Sequence, residues 1–357
     1  MLTVSLASRM LEQEARALLT RLGRVEPFSL HMPMVAAAAV SPAAQTAIEQ
    51  YLARGRRELR GRVHHYLRWL NGPDGKDAPP AEAQRRFTFL KLRFNAVLSQ
   101  FHIFADVFSQ RGEHETGVWL SGLDVVAADA LALPRCYFES PPVICYLDRG
   151  PGAAIRRART RLPGGGENPV AIVRVPRERM VGSGLASSLV HEVGHQGSAL
   201  LDLIGSLRPA LRGMQRTRPQ QEAAWSLYER WISEILADFW SVAKLGITAT
   251  TGLMGVVSLP RAFVFRLSAE DPHPVPWIRV KLSSMMGRAL YPHRQWDRLG
   301  ALWESYYPTS GLDPPKRRLF ALLEATMPDF VALVVNHRPT RLGGKSLMEA
   351  KIGRAHV

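Results

Sequence analysis

Residues 184–204 read GLASSLVHEVGHQGSALLDLI. Leu185, Leu189, Val190, Val193, Leu200 and Leu203 recur at helical spacing, so the stretch is expected to form a mostly buried helix. His191 and His195 lie four residues apart, on one face and about one turn from each other. Two imidazoles so placed can converge on one metal ion, at Zn–N distances of about 2.0–2.1 Å. Glu192 follows His191 directly and projects beside that ion, where it can take a proton from water. Zinc lowers the pKa of water towards about 7, so a carboxylate base suffices. A random chain of this composition shows His-Glu-x-x-His about 0.02 times, so chance is a poor account of it. Gly194 costs about 1 kcal/mol against Ala in a helix interior. Its small size would let another backbone or a substrate approach.

Catalytic zinc usually takes three protein ligands and leaves one position open. Asp202 is too far along the same helix, about 10 Å past His195. Ser198 and Leu201 stand where the longer pattern HExxHxxGxxH has Gly and His. The third ligand is therefore sought in WISEILADFW, residues 231–240. Glu234 and Asp238 share a helix face there, and Trp231, Ile235 and Trp240 imply burial. A buried carboxylate pair wants a cation and hydrogen-bond donors. Glu234 as ligand, with Asp238 gripping the far nitrogen of a ligating His, satisfies both. Glu229 and Glu222 are the alternatives as ligand, and a salt bridge to Arg230 is the bland reading of Glu234.

HEVGH followed by Glu-x-x-x-Asp, with Glu234 39 residues after His195, resembles the zinc-dependent metallopeptidases of the zincin superfamily, in their glutamate-ligand (gluzincin) branch. The resemblance covers roughly residues 140–300. It implies Zn2+ as cofactor, a peptide or protein substrate, and His191, His195 and Glu234 as ligands. It also implies Glu192 as general base and Asp238 as the group orienting a ligand. A strand beside the cleft would pair with extended substrate, and Val170–Val175 is expected in that place. Gluzincins use a later side chain to stabilise the tetrahedral oxyanion. His273, in Asp271-Pro272-His273-Pro274, is the first candidate, because flanking prolines hold a donor on a stiff loop. Arg279 is the second, and Tyr291 and His293 follow.

The fold class expected is α+β and mostly helical. A helical region, 1–135, precedes a zincin-like domain, 136–300, with a small sheet and two long zinc-binding helices. A C-terminal extension, 301–357, holds one helix, Lys316–Met327, and a tail. In the first region Ser41-Pro42 reads as N-cap and first helical residue, opening a helix that runs to Asn71-Gly72-Pro73. Asp74–Pro80 reads as a linker, with helices over Ala81–Gln110 and Val118–Leu131 beyond it. Val143–Leu147 and Val170–Val175 read as strands. Ser183–Arg212 reads as one long helix and Pro219–Leu245 as another. Residues 246–300, rich in proline, read as loops.

Hydrophobic residues make up 46% and charged residues 22%, which excludes a disordered or collagen-like chain. Two cysteines, Cys136 and Cys145, build neither a disulfide framework nor an all-cysteine zinc site, and read as buried thiols. The net charge is +15, carried by 46 basic residues against 31 acidic. Residues 1–135 carry 17 basic and 13 acidic groups, and no segment is an uninterrupted basic tail. Nucleic acid is therefore not the expected partner. His64, His65, His102 and His114 read as surface or packing residues. Arg9, Glu12 and Glu14 interrupt the apolar stretch that a secretory leader needs, and no segment reads as a membrane span. A cytoplasmic location is the default. The rival functional reading is a non-catalytic zincin-like component of a larger assembly. The intact Glu192 argues against it.

Overall fold

The computed structural model describes residues 2–25, 34–135, 137–150, 152–163, 165–177, 183–268, 270–350 and 352. Cys136 lies outside them. Helix accounts for 71% of the structure and the sheet has three strands, so the α+β, mostly helical class holds. The helices are α1 (Leu2–Gly23), α2 (Pro42–Asn71), α3 (Pro73–Asp77), α4 (Pro80–Ser109) and α5 (His114–Leu131). After the strands β1 (Val143–Asp148), β2 (Ala154–Arg156) and β3 (Ala171–Pro176) come α6 (Ser183–Leu200), α7 (Leu203–Thr217), α8 (Glu222–Leu245) and α9 (Ile247–Val257). The series ends with α10 (Arg261–Val264), α11 (Pro276–Leu290), α12 (Gln295–Tyr306) and α13 (Pro314–Val335). No helix among the described residues is long and apolar enough to cross a membrane.

Two compact units emerge. The first comprises Met1–Asp124, Pro141–Tyr146 and Arg156–Ile172; the second comprises Val125–Ser140, Leu147–Ile155 and Val173–Val357. This division differs from the three segments read in the sequence, because the chain after residue 300 packs into the second unit. There α13 lies on α11 and α8, and Phe330 stacks on Tyr228 at 4.1 Å between ring centroids.

In the first unit α1, α2 and α4 pack on one another around Leu59, Val63, Phe94 and Phe104. The Ser41 hydroxyl accepts from the Ala44 N–H at 3.2 Å, which caps α2 as the Ser-Pro pair predicts. Arg111 is fully buried. It pairs with Asp124 at 3.0 Å and donates to the Cys145 carbonyl at 2.7 Å. Cys145 is a buried free thiol, and burial pushes its pKa up.

The second unit is built on α6 and α8, with α9, α7 and α11 against them. Gly194 and Gly197 set how closely α6 and α8 meet. A Cβ on Gly194 would lie 2.8 Å from the Trp240 Cβ and 2.9 Å from the Ala237 Cα and carbonyl. A Cβ on Gly197 would lie 2.5 Å from the Trp240 ring. Trp240 donates its indole N–H to the Ala130 carbonyl at 2.9 Å, which fixes the ring that fills this notch.

Several expectations are corrected. Ser183–Arg212 is two helices, because Asp202 adopts a left-handed conformation (φ 51°) and turns the chain. Short polar side chains tolerate that region, and the Asp202 carbonyl then accepts from the Ser206 N–H and hydroxyl. Residues 246–300 are mainly helical. Their prolines act at helix starts: Pro260 is the N-cap of α10, and Pro276 opens α11, where a missing N–H costs nothing. The linker Asp74–Pro80 overlaps the one-turn helix α3. The helix read as Lys316–Met327 begins at Pro314 behind an Asp313 cap and continues through Pro328 to Val335. β2, unforeseen, lies in the basic stretch before Arg161. His64, His65 and His102 are exposed, and the side chain of His114 lies outside the described residues.

The two classes of glycine predict opposite responses. Gly194→Ala should destabilise the protein, because overpacking costs about 1–3 kcal/mol against about 1 kcal/mol gained in helix propensity. Gly213, in α7 with open space around it, should respond to Ala with a gain of up to about 1 kcal/mol. Chemical denaturation of both variants checks this. Equal shifts of the same sign would remove the close contact as the reason for Gly194.

Candidate metal centre

His191 and His195 project from α6, and Glu234 and Asp238 from α8. His191, His195 and Glu234 each bring one ligand atom within 4.8 Å of the others. The His191 Nε2 is 3.2 Å from one Glu234 oxygen, and the His195 Nε2 is 3.5 Å from the other. Ligand atoms bonded tetrahedrally to zinc at about 2.1 Å lie roughly 3.4 Å apart, so these separations suit the ion. The imidazoles stand edge to face, with an interplanar angle of 87°.

Each of the two histidines has a second contact that fixes it. The Asp238 carboxylate lies 2.8 Å from His191 Nδ1, which directs Nε2 towards Glu234. Ser233 Oγ is 3.4 Å from His195 Nδ1. Asp238 in turn receives two bonds from Arg279, at 2.6 Å from Nε and 2.8 Å from Nη2. Burial opposes ionisation of Asp238, yet Arg279 and His191 hold its pKa down to about 2. Glu234 is likewise held well below the usual carboxylate range, against burial, by His191 and His195. Burial works against a charged His191, but the Asp238 carboxylate beside it raises its pKa to about 9.

Charge bookkeeping supports a dication. Glu192, Glu234 and Asp238 are 8%, 8% and 6% exposed, and Arg279 is the buried cation facing them. Once His191 gives up its proton, as a metal ligand must, three carboxylates against one guanidinium leave two negative charges, and buried charge of that kind calls for a cation. Two imidazoles and one carboxylate form a nitrogen–oxygen donor set that suits zinc. The residues present therefore fit the metal that the sequence implies.

Glu192 lines a cavity of about 150 Å3 together with His191, Asp238, His273 and Arg279. The His273 Nε2 is 3.2 Å from Glu234, so the first oxyanion candidate reaches the centre. Asp271 holds that ring, since one oxygen accepts from the His273 backbone N–H at 3.0 Å and from Nδ1 at 2.7 Å. Asp271 was missed in the sequence, although Asp two residues before a functional His is a readable turn signal. Arg279, the second candidate, is spent on Asp238 instead and acts through it on His191. Tyr291 gives its hydroxyl to the Ala243 carbonyl at 2.6 Å, and the exposed His293 accepts from the Gln295 N–H at 3.2 Å. Neither lines the cavity.

Two further expectations are resolved by position. Glu229 binds Arg212 and Gln215, both at 2.8 Å, and Glu222 is exposed in the first turn of α8. Arg230 lies over the Trp231 ring rather than serving as partner to Glu234. Val170–Val175 runs into β3, the central strand in the order β1-β3-β2. Strand neighbours on both sides use its backbone, so it has no edge for a substrate. Gly152 and Ala153, which line the cavity, lead into the edge strand β2.

Protein purified without added metal should carry zinc near one per chain by elemental analysis. Glu234→Ala should abolish that, and Asp238→Ala should weaken affinity about 10–100-fold, as loss of an outer-shell partner does. Glu229→Ala should leave zinc in place. Zinc lost in Glu229→Ala and kept in Glu234→Ala would move the ligand by five residues along α8. No family model matches this chain, and comparison with curated proteins and with solved structures also returned no match.

Proposed function

We propose that this protein is a zinc-dependent peptidase. The observation that carries the reading is the meeting of a three-ligand centre with a free-standing carboxylate, Glu192, and a fixed imidazole, His273, around one cavity. Three protein ligands leave a position open, which distinguishes catalytic from structural zinc sites.

Zinc held by His191, His195 and Glu234 would polarise the peptide carbonyl and acidify the attacking water. Glu192 takes the proton from that water and passes it to the leaving amine. His273, held by Asp271, donates to the oxyanion as negative charge develops. Arg279 and Asp238 keep the His191 ring in one orientation throughout. The extended substrate lies along the edge strand β2, entered from Gly152 and Ala153.

The cavity narrows the substrate. Its walls include Val242, Ala249, Leu253 and Val256. Three of its four serine hydroxyls turn to protein partners: Ser187 to the Gly184 carbonyl at 3.1 Å, Ser241 to the Ser187 carbonyl at 3.2 Å, and Ser283 to Thr250 at 2.7 Å. Val242, Ala249, Leu253 and Val256 give the cavity one small aliphatic wall beside its polar groups, so a small aliphatic side chain beside the scissile bond is the fitting occupant. A peptide-library digest should show cleavage next to Ala, Val or Leu and not next to Trp or Arg.

Glu192→Gln keeps size and hydrogen bonding but removes the base. Zinc should stay bound while hydrolysis falls by at least about 10²-fold; surviving activity would exclude Glu192 as base. His273→Ala should lower kcat and kcat/KM by similar factors and leave KM nearly unchanged. The cost should be about 3–4 kcal/mol, that of one lost oxyanion donor. A rise in KM alone would make His273 a binding residue instead.

A further inference from the structure

A second concavity lies wholly within the first unit, between α2 and α4. It has a volume of about 630 Å3 and is lined by ten residues, with Tyr66, Trp69, Phe89 and Leu90 as its apolar surface. Phe89 is 67% exposed, and Leu92, one turn further along α4, is also exposed. Arg62, Arg86 and Arg93 line the same groove, with Glu58 as the one acidic lining residue. Arg62 and Arg93 share that carboxylate, at 2.9 and 3.1 Å. Arg86 contacts Glu82 at 2.8 Å and lies 4.2 Å over the Trp69 ring.

Charge is concentrated around this groove. Residues 54–68 of α2 carry six arginines against one glutamate, and residues 82–93 of α4 carry four bases against one acid. The rest of 1–135 holds seven bases against eleven acids. At the groove itself Arg62, Arg86 and Arg93 stand against Glu58, so its local charge is positive in a region that is otherwise acidic.

We infer that this groove binds an acidic amphipathic helix supplied by a partner protein, with the apolar face of that helix on Phe89 and its carboxylates on Arg62, Arg86 and Arg93. The lining runs from Glu58 to Trp69 on α2, about 16 Å or three turns, which matches anchors at i, i+3/i+4 and i+7. Partner carboxylates meet guanidiniums, whose planar forks suit them. A second copy of this chain is disfavoured, since a net charge of +15 makes the same face repel itself. Single-stranded nucleic acid is disfavoured because successive bases stack on several open aromatic faces, and Phe89 is the one exposed aromatic of this lining. The Trp69 face is covered by Arg86, and Tyr66 is 5% exposed with its hydroxyl given to the Ala83 carbonyl. The inference is independent of the metal centre.

Fluorescence anisotropy on the full chain tests it. The probe is a labelled peptide of about 14 residues, four helical turns, with Leu at i, i+3 and i+7 and Glu elsewhere. Controls are the same composition scrambled to break the apolar stripe, an oligo-dT of about 15 nucleotides, and phosphatidylcholine–phosphatidylserine vesicles. The patterned peptide should bind at least about tenfold more tightly than the scrambled one, and Phe89→Ser and Arg93→Glu should each weaken it about tenfold or more. Phe89 is exposed, so its variant tests the groove without emptying the core. Equal binding of patterned and scrambled peptides, or indifference to Phe89→Ser, would overturn the inference. Tighter capture of oligo-dT or of vesicles than of the patterned peptide would overturn it too.

Discussion

The close approach of α6 to α8 at Gly194 governs the second unit. Two helices that meet through ordinary side chains lie about 8–10 Å apart, and only small contact residues bring their backbones nearer. Gly194 lets the Ala237 backbone and the Trp240 Cβ occupy the place of a side chain. His191 and His195 flank Gly194 on α6, and Glu234 and Asp238 flank Ala237 on α8. The residue that permits the contact thus sits among those that use it. The glycine's propensity cost is offset by the fully buried Trp240, packed against Gly194 and Gly197 at the crossing.

That packing holds together charges that would otherwise repel. Buried carboxylates are tolerated when each has a donor or a cation, and here the partners form a chain. Arg279 grips Asp238, Asp238 grips His191, and His191 and His195 face the two oxygens of Glu234. Glu192 is near enough to the Arg279 guanidinium to feel its charge, but it faces the cavity. Each link removes rotational freedom from the next, which is what a site needs if its reactive groups are to be fixed before substrate arrives.

The centre was legible in the sequence because helical periodicity is local: spacing of four on α6 and again on α8 sets two faces, and burial of both faces brings them together. The Asp271 turn and the paired hydrogen bonds from Arg279 to Asp238 were not legible in the same way. Arg279 shows only a cation near a loop histidine, and its target is decided by how α11 lies on α8. Helix ends failed where one residue's conformation outweighed a run of good formers, as at Asp202. The prolines of 246–300 misled because their position decides their effect. Proline breaks a helix interior but starts a helix at its first turn. The strand Val170–Val175 was located, but its place in the sheet depends on β2, three residues long, too short to stand out.

The charge count hides a local pattern for a different reason. A count over residues 1–135 averages a basic groove with an acidic remainder, and the sum resembles that of any soluble chain. A partner does not sense that sum. Screening confines the interaction between exposed charges to about 8–10 Å at physiological ionic strength, so what matters is which charges share a face. Six arginines within fifteen residues of one helix are separated by one to six positions, and helical winding spreads them over more than one face. It is the arrival of α4, with Arg86 and Arg93 beside Arg62, that gathers three of the guanidiniums around an apolar floor. The pairing of α2 with α4, and not composition, places basic and apolar side chains on one surface.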